Sequence, residues 1–92
     1  MLPLGRISGH RGREGELTVK VLGGDGSLWT GLARVWVGAE GGEDGAFYRV
    51  ESSRAYRDRL VLKLEGVDGA DEAEALRGKP VQARNEDAPT LP

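Results

Sequence analysis

The sequence contains no cysteine and only one histidine, His10, among its 92 residues. Without a thiol, the chain can form neither a disulfide nor a thiolate metal site, and nothing in it indicates an oxidising compartment. No apolar stretch approaches the roughly 18 residues of a membrane span, and the N-terminus lacks the pattern of a signal peptide. We therefore expect a soluble cytoplasmic protein that does not contact a membrane.

Few residues are arranged for catalysis or for holding a cofactor. The serines lie in no nucleophile-elbow context, so a Ser-His-Asp arrangement would depend entirely on His10. The glycines at positions 9, 12 and 15 match neither a dinucleotide fingerprint nor a Walker loop, because no Gly-Lys-Ser or Gly-Lys-Thr follows them. The acidic segment from Gly38 to Gly45 lacks the ligand spacing of an EF-hand. We predict no enzymatic activity, no catalytic residues, no metal and no cofactor.

The charges are unevenly distributed along the chain. A net charge of −2 argues against a non-specific nucleic-acid binder, which is usually strongly basic. However, residues 1–13 contain three arginines and no acid, and residues 49–63 contain five basic residues against two acids. Residues 65–74 hold five acids and no base. This pattern indicates either an ordinary solvated surface or separate basic and acidic faces, and the sequence leaves both open.

Alternating apolar residues predict short strands through most of the chain. Leu17, Val19 and Val21 alternate with polar residues, which is the pattern of a half-buried strand. The same reasoning predicts a strand around Arg6 and others at 32–37, 47–52, 59–65 and 81–83. The strands at 47–52 and 59–65 should form a hairpin that turns at Arg57-Asp58.

One helix is predicted, from Asp68 to Arg77. Asp68 is a suitable N-cap, the next acids favour the first turn, and Gly78 can end the helix in a left-handed conformation. Six short strands and one late helix, separated by glycine-rich turns, fit an all-β barrel that is closed or nearly closed better than an open sheet, because closure removes strand edges. The barrel is assigned to residues 1–84 and a polar, proline-containing linker to residues 85–92.

The segment from Gly5 to Val21 combines glycines with positive charge. Its glycines permit the positive φ angles of tight turns, and His10, Arg11 and Arg13 occur before any acid. We predict a mobile cationic loop attached to a rigid strand. Arg6 lies within a strand and is expected to pair with an acid on the surface.

Three sequence blocks resemble the N-terminal domain of the RimM ribosome maturation factors. The first comprises Gly5-Arg6-Ile7, Gly9, Gly12 and Gly15-Glu16-Leu17. The second is Leu64-Glu65-Gly66-Val67-Asp68 followed by Ala73-Glu74-Ala75-Leu76-Arg77-Gly78, and the third is Arg84-Asn85-Glu86-Asp87-Ala88-Pro89. The resemblance implies a six-stranded antiparallel β-barrel, similar to the barrels of translation factors, with one short helix before the last strand and a C-terminal domain beyond the linker.

The resemblance also implies a role in ribosome assembly. A protein of this family is expected to bind the maturing head of the small ribosomal subunit as a monomer, contacting 16S ribosomal RNA and a head-region ribosomal protein, and to act as a chaperone of 16S RNA folding and processing. Arginines suit RNA because they contact phosphate in a bidentate manner. The predicted RNA- or ribosome-binding residues are Gly9, His10, Arg11, Gly12, Arg13 and Gly15, with Arg54 and Arg57 as a second patch.

A different class of function stays open. The chain could be a protein-only interaction module that uses Trp29, Trp36 and Tyr56 as its contact surface, since aromatic residues are enriched at binding hot spots. For Trp29, the other reading is a plug over one end of the core. Salt distinguishes the two functions, because affinity for phosphates falls steeply with salt and an aromatic protein contact changes little.

Overall fold

The chain forms six strands and one helix in a computed structural model that describes residues 2–12, 14–22, 29–38, 45–57 and 59–84. The elements in order are β1 (Leu2–Arg11), β2 (Glu16–Val21), β3 (Arg34–Val37), β4 (Ala46–Tyr56), β5 (Arg59–Leu64), α1 (Ala70–Ala75) and β6 (Pro80–Ala83). The predicted number of strands and the helix before the last strand are confirmed. The predicted acidic loop tip and the linker at 85–92 lie outside the described residues, apart from the ends of the loop at Gly38 and Gly45.

The strands close into an antiparallel barrel in the order β1-β2-β5-β4-β3-β6. Hairpins join β1 to β2 and β4 to β5, and β6 pairs with both β1 and β3 to complete the ring. Closure gives each strand a neighbour on both sides, which protects the edges of a small sheet. The predicted six-stranded antiparallel barrel is therefore confirmed.

The apolar positions of alternating strands fill the barrel. Leu17, Val19 and Val21 of β2 are at most 5% exposed, as the alternation predicts. The leucines at 60, 62 and 64 of β5 are completely buried. Val61 is also buried although alternation places it on the outer face, where it pairs with Thr18 on one side and Arg54 on the other. Burial in β5 therefore extends beyond the face that alternation predicts.

Helix α1 is shorter than predicted and is capped differently. Gly69 occupies the N-cap position without a side-chain hydrogen bond, so the prediction that Asp68 caps the helix is wrong. The Asp68 carboxylate accepts a hydrogen bond from Lys63 instead, and its backbone N–H donates to the Glu72 carboxylate at 3.2 Å. Gly78 takes a φ of +85°, which confirms the predicted left-handed residue after the helix. Ala73 of the helix packs into the core.

No helix in the described ranges is long and apolar enough to cross a membrane.

Candidate nucleic-acid interface

Strand β1 extends through half of the predicted loop. Gly9, His10 and Arg11 pair with Thr18, Leu17 and Glu16 of β2, after a register shift between Ile7 and Gly9. The prediction of a mobile loop over these residues is therefore wrong. Sequence alternation could not reveal this part of the strand, because Gly9 has no side chain and the residues around it are polar. The ladder extends to the pair Arg11 and Glu16, so the predicted loop is shortened to the connection between these two residues.

Gly15 anchors this turn to the connection between β5 and α1. It is buried and has a φ of +86°, which glycine adopts without steric cost. A methyl group at this position would overlap the backbone carbonyl of Val67 and would lie 3.0 Å from the backbone nitrogen of Gly69. Gly9 differs, because it has no left-handed φ and a methyl group there meets nothing within 4 Å. The two glycines therefore have different structural roles, although the sequence motif treats them alike.

Lys63 stabilises the same connection from the other side. Its ammonium group donates hydrogen bonds to the carbonyl oxygens of Val67 at 2.6 Å and Leu64 at 3.1 Å, and to the Asp68 carboxylate at 3.0 Å. Glu51 lies 3.5 Å away. Burial acts to lower the pKa of Lys63, but its hydrogen bond and charge interaction with Asp68, supported by Glu51, outweigh burial and raise the pKa. The sequence pattern predicts only that Lys63 faces outward, and gives no sign of this network.

His10 is directed toward helix α1. Its Nδ1 atom lies 3.0 Å from the Glu74 carboxylate, whose other oxygen accepts a hydrogen bond from the Arg77 guanidinium at 3.0 Å. The bond from Arg77, followed by the bond from His10, holds the pKa of Glu74 below its ordinary value. All three side chains are at least 31% exposed, so the network is open to solvent. It joins the β1–β2 hairpin to the acidic helix.

Arg11 points in another direction, toward Tyr56. The Arg11 guanidinium carbon lies 5.5 Å from the centre of the Tyr56 ring, and the Arg57 guanidinium carbon lies 5.7 Å from it. Arg54 forms an ion pair with Glu16 at 3.2 Å that crosses β5. We call the group of Arg11, Arg54, Tyr56 and Arg57 the Tyr56 surface. The structure thus joins Arg11 of the first basic segment to the predicted second patch.

The Tyr56 surface is exposed and held by weak contacts. The Tyr56 side chain is 54% exposed, and an exposed cation–π contact contributes only about 0.5–1 kcal/mol. The Arg54 side chain is 59% exposed, and exposed ion pairs contribute about 0–1 kcal/mol. These guanidinium groups can therefore exchange their present contacts for those of a ligand at little cost.

Arg57 has an unusual backbone conformation at this surface. It has a φ of +56° and is the only non-glycine with a positive φ in the described ranges. It follows Tyr56, which pairs with Arg59, so the chain turns between these two residues, where the hairpin turn was predicted. Hairpin turns with positive φ usually contain glycine, asparagine or aspartate. An arginine here carries a conformational cost of about 1–2 kcal/mol.

A pocket of about 340 Å³ lies beside the turn and is lined by Arg11, Gly12, Glu14 and Glu16. Two carboxylates in its wall disfavour an anion inside it. Phosphate is therefore better accommodated on the side of Arg11 that faces Tyr56. Among the described residues, no cluster of three histidine, aspartate or glutamate side chains could hold a metal ion.

Phe47, at the other end of β4, is a second exposed aromatic residue, and it has a structural explanation. Its ring packs edge-to-face against Trp36 at 5.0 Å, opposite it in the β3–β4 ladder. Arg34 and Arg84 also approach the ring, at 5.0 and 6.0 Å. Trp36 is half-buried, and Trp29 is half-buried against the core, which confirms the reading of Trp29 as a plug. Tyr56 is thus the one exposed member of the predicted aromatic contact surface.

Three further residues from the sequence analysis are Arg6, Gly12 and Arg13. Arg6 donates a hydrogen bond to the Gly78 carbonyl oxygen at 2.7 Å, so among the described residues its partner is not the acid that was expected. Arg13 lies outside the described residues. Gly12 has a φ of +68° and open space around it.

A closed six-stranded barrel with arginines around an exposed tyrosine defines a small β-barrel domain with a basic surface. The chain belongs to the RimM family, since the model of the RimM N-terminal domain matches residues 2–88. It is 38% identical over 88 residues to the ribosome maturation factor RimM of Bifidobacterium longum strain DJO10A, covering 96% of this chain and 43% of that protein. It is 32% identical over 91 residues to the RimM of Clostridium tetani, covering 99% of this chain and 52% of that protein. The chain therefore spans about half the length of these relatives.

Two solved structures share the fold. The solution structure of the N-terminal domain of RimM from Thermus thermophilus matches with a TM-score of 0.72 and 28% identity, over 99% of this chain and 96% of that one. A Pseudomonas aeruginosa crystal structure, of a protein described as a 16S ribosomal RNA processing protein RimM, matches with a TM-score of 0.78. The latter is 21% identical and covers 99% of this chain and 54% of that one, so it supports the fold alone.

Proposed function

We propose that this barrel is the part of a ribosome maturation factor that binds the maturing head of the small ribosomal subunit. In this role it assists the folding and processing of 16S ribosomal RNA, acts without catalysis of its own, and contacts RNA through the Tyr56 surface and the adjacent β1–β2 turn. The names of its relatives, as ribosome maturation factors, support the general role.

The convergence of arginines from two hairpins carries the RNA part of the proposal. Arg11 extends from the end of β1, whereas Arg54 and Arg57 come from the end of β4 and the turn after it. They meet on one exposed surface of a chain whose net charge is −2, with Glu16 as the paired acid. Guanidinium groups bind phosphate in a bidentate manner, and such contacts position a protein on RNA.

The roles proposed for the glycines and His10 follow from their contacts. Gly15 fixes the turn against the β5–α1 connection, which holds Arg11 in a defined position. His10, bound to Glu74, attaches the hairpin to the helix and leaves the arginines on the opposite side. We therefore assign RNA contact first to Arg11, Arg54 and Arg57, and a supporting role to Gly15 and His10.

The test is an NMR titration of the isotope-labelled chain with an RNA fragment of the small-subunit head and, separately, with the ribosomal protein of the head. Amide signals from Gly9 to Gly15 and around Tyr56 should shift with RNA, and the shifts should weaken at the higher of two salt concentrations. If only the ribosomal protein binds, and salt has little effect, the RNA role is wrong and the chain is a protein-only module.

Two arginine variants sharpen the test without disturbing the fold. Arg54→Gln removes only an exposed ion pair, and Arg57→Asn keeps a residue that tolerates a positive φ. Each should reduce the slope of log affinity against log salt by about 0.7 for single-stranded RNA. Arg34→Gln is the matched control, since Arg34 on β3 also contacts an exposed aromatic ring, that of Phe47 at the other end of β4. If Arg34→Gln reduced the salt slope as much as Arg54→Gln and Arg57→Asn do, net charge, and not the Tyr56 surface, would determine RNA binding.

A further inference from the structure

We infer that Tyr56 stacks on an unpaired base, so that the RNA recognised by the Tyr56 surface is single-stranded, as in a loop, a bulge or an end. The inference rests on the proposed function and specifies the class of RNA. Arginines alone bind phosphates of a duplex and of a single strand alike, whereas an aromatic ring can stack only on a base that is not enclosed in a helix.

The first support is that packing does not account for Tyr56. Tyr56 is the more exposed of the two exposed aromatic residues in the described part of the chain, at 54% against 43% for Phe47. Phe47 packs against Trp36, whereas the ring contacts recorded for Tyr56 are with the guanidinium groups of Arg11 and Arg57. An exposed aromatic ring amid positive charge is the combination that single-stranded nucleic-acid sites use.

The second support is the distance of these guanidinium groups from the ring. At 5.5 and 5.7 Å from the ring centre, both lie near the outer limit of about 6 Å for a cation–π contact, and such a contact contributes only about 0.5–1 kcal/mol at an exposed site. A base can therefore take the place of either guanidinium on the ring face. The displaced arginine stays close enough to contact the phosphate of the same or the next nucleotide.

The third support is the conformational cost at Arg57. A glycine or asparagine would close the β4–β5 turn with less strain than an arginine at a φ of +56°. Strain that persists at an exposed position suggests that the side chain serves a function. Here the strained residue holds its guanidinium group beside the Tyr56 ring.

The test compares two RNA probes of equal phosphate number, a short single-stranded oligoribonucleotide and a blunt RNA duplex. Fluorescence anisotropy with the full chain gives both affinities. Tyr56→Leu should weaken binding of the single strand by about 5-fold to 150-fold, the usual effect of removing a stacked aromatic, and binding of the duplex by less than about 2-fold. Tyr56→Phe should retain the preference for the single strand, since it keeps the ring and loses only the hydroxyl.

Phe47→Leu provides the matched control, because Phe47 of β4 also contacts two arginines, Arg34 and Arg84. It should leave the preference for the single strand unchanged, and thermal unfolding confirms that each variant is folded. If RNA binds in a salt-dependent way but Tyr56→Leu affects both probes equally, or affects neither, the stacking inference is wrong and the proposed function stands. If neither probe nor the head RNA binds the unmodified chain, both are wrong.

Discussion

The glycines at 9, 12 and 15 allow the contribution of one tight contact to be measured, because alanine at each position meets a different combination of obstacles. At position 9 the backbone φ is not in the left-handed region and no atom lies within 4 Å of the added methyl group. At position 12 the space is also open, but the backbone has a φ of +68°. At Gly15 alanine meets both a φ of +86° and the Val67 carbonyl. The three substitutions therefore separate backbone strain from steric overlap within one hairpin.

The expected losses in the free energy of unfolding follow from these differences. Gly9→Ala should change it by no more than about 0.5 kcal/mol, as for an unconstrained surface position. Gly12→Ala should lose about 1–2 kcal/mol from left-handed backbone strain. Gly15→Ala adds an overlap of about 1–3 kcal/mol to similar strain, giving a loss of about 2–5 kcal/mol. A domain of this size typically has only about 5–15 kcal/mol of stability, so this loss is large.

The size of the Gly15 effect depends on whether the Val67 carbonyl can move away. Lys63 holds that carbonyl by a hydrogen bond of 2.6 Å, so the overlap should not relax freely. Lys63→Met releases the carbonyl. In that background Gly15→Ala should cost less, and the double-mutant cycle should show coupling of about 0.5–3 kcal/mol.

Thermal unfolding followed by circular dichroism is the assay, together with urea unfolding to obtain free energies. Gly15→Ala should lower the Tm by at least about 8 °C, at about 4–8 °C per kcal/mol for a domain of this size. A loss at Gly15 no larger than the loss at Gly12 would refute the steric overlap. Zero coupling with Lys63→Met would refute the role of the Val67 carbonyl.

Two further predictions concern charged groups around the hairpin. The pKa of Glu74 is lowered in the folded chain. Its carboxylate therefore stabilises the fold at pH values above the ordinary glutamate pKa, and this stabilisation is lost as the pH falls through the lowered pKa of Glu74. In an NMR titration of the Glu74 carboxylate, Arg77→Gln should raise the midpoint more than His10→Gln, and the reverse order would contradict the assignment of the main cause. Lys63→Met alone should lower the free energy of unfolding by about 1–3 kcal/mol in urea unfolding, because it removes the hydrogen bond to the Val67 carbonyl. An unchanged value would mean that the Lys63 network does not stabilise the connection.

Much of the fold could be predicted because the strands carry local signals. The alternation of Leu17, Val19 and Val21 predicted β2 and its buried face, and the turn at Arg57 predicted the β4–β5 hairpin. The end of β1 was missed because Gly9, His10 and Arg11 show no alternation of apolar and polar side chains. Their strand conformation comes from pairing with β2 across the hairpin turn, and the periodicity of their own side chains does not reveal that pairing.

The candidate site was predictable in composition but not in arrangement. The sequence indicated two basic segments, which include Arg11 and the pair Arg54 and Arg57, and assigned Tyr56 to a competing function. The neighbours of Tyr56 became visible only when the barrel brought the two hairpins together. The one local feature of the sequence that pointed to Tyr56 as part of the site was its position directly before Arg57 at a predicted hairpin turn.

By itself, the sequence determined the all-β class, the six strands, the late helix and the local positive charge, because these depend on side-chain periodicity and turn residues that act over a few positions. Only the tertiary structure decided that Gly15 rests on the Val67 carbonyl, that Asp68 accepts from Lys63 instead of capping the helix, and that Arg11 faces Tyr56. The first and last of these contacts join residues that are distant in the chain, and the register of the closed barrel determines that they meet. Asp68 lies only five positions from Lys63, and the turn that follows β5 brings the two together.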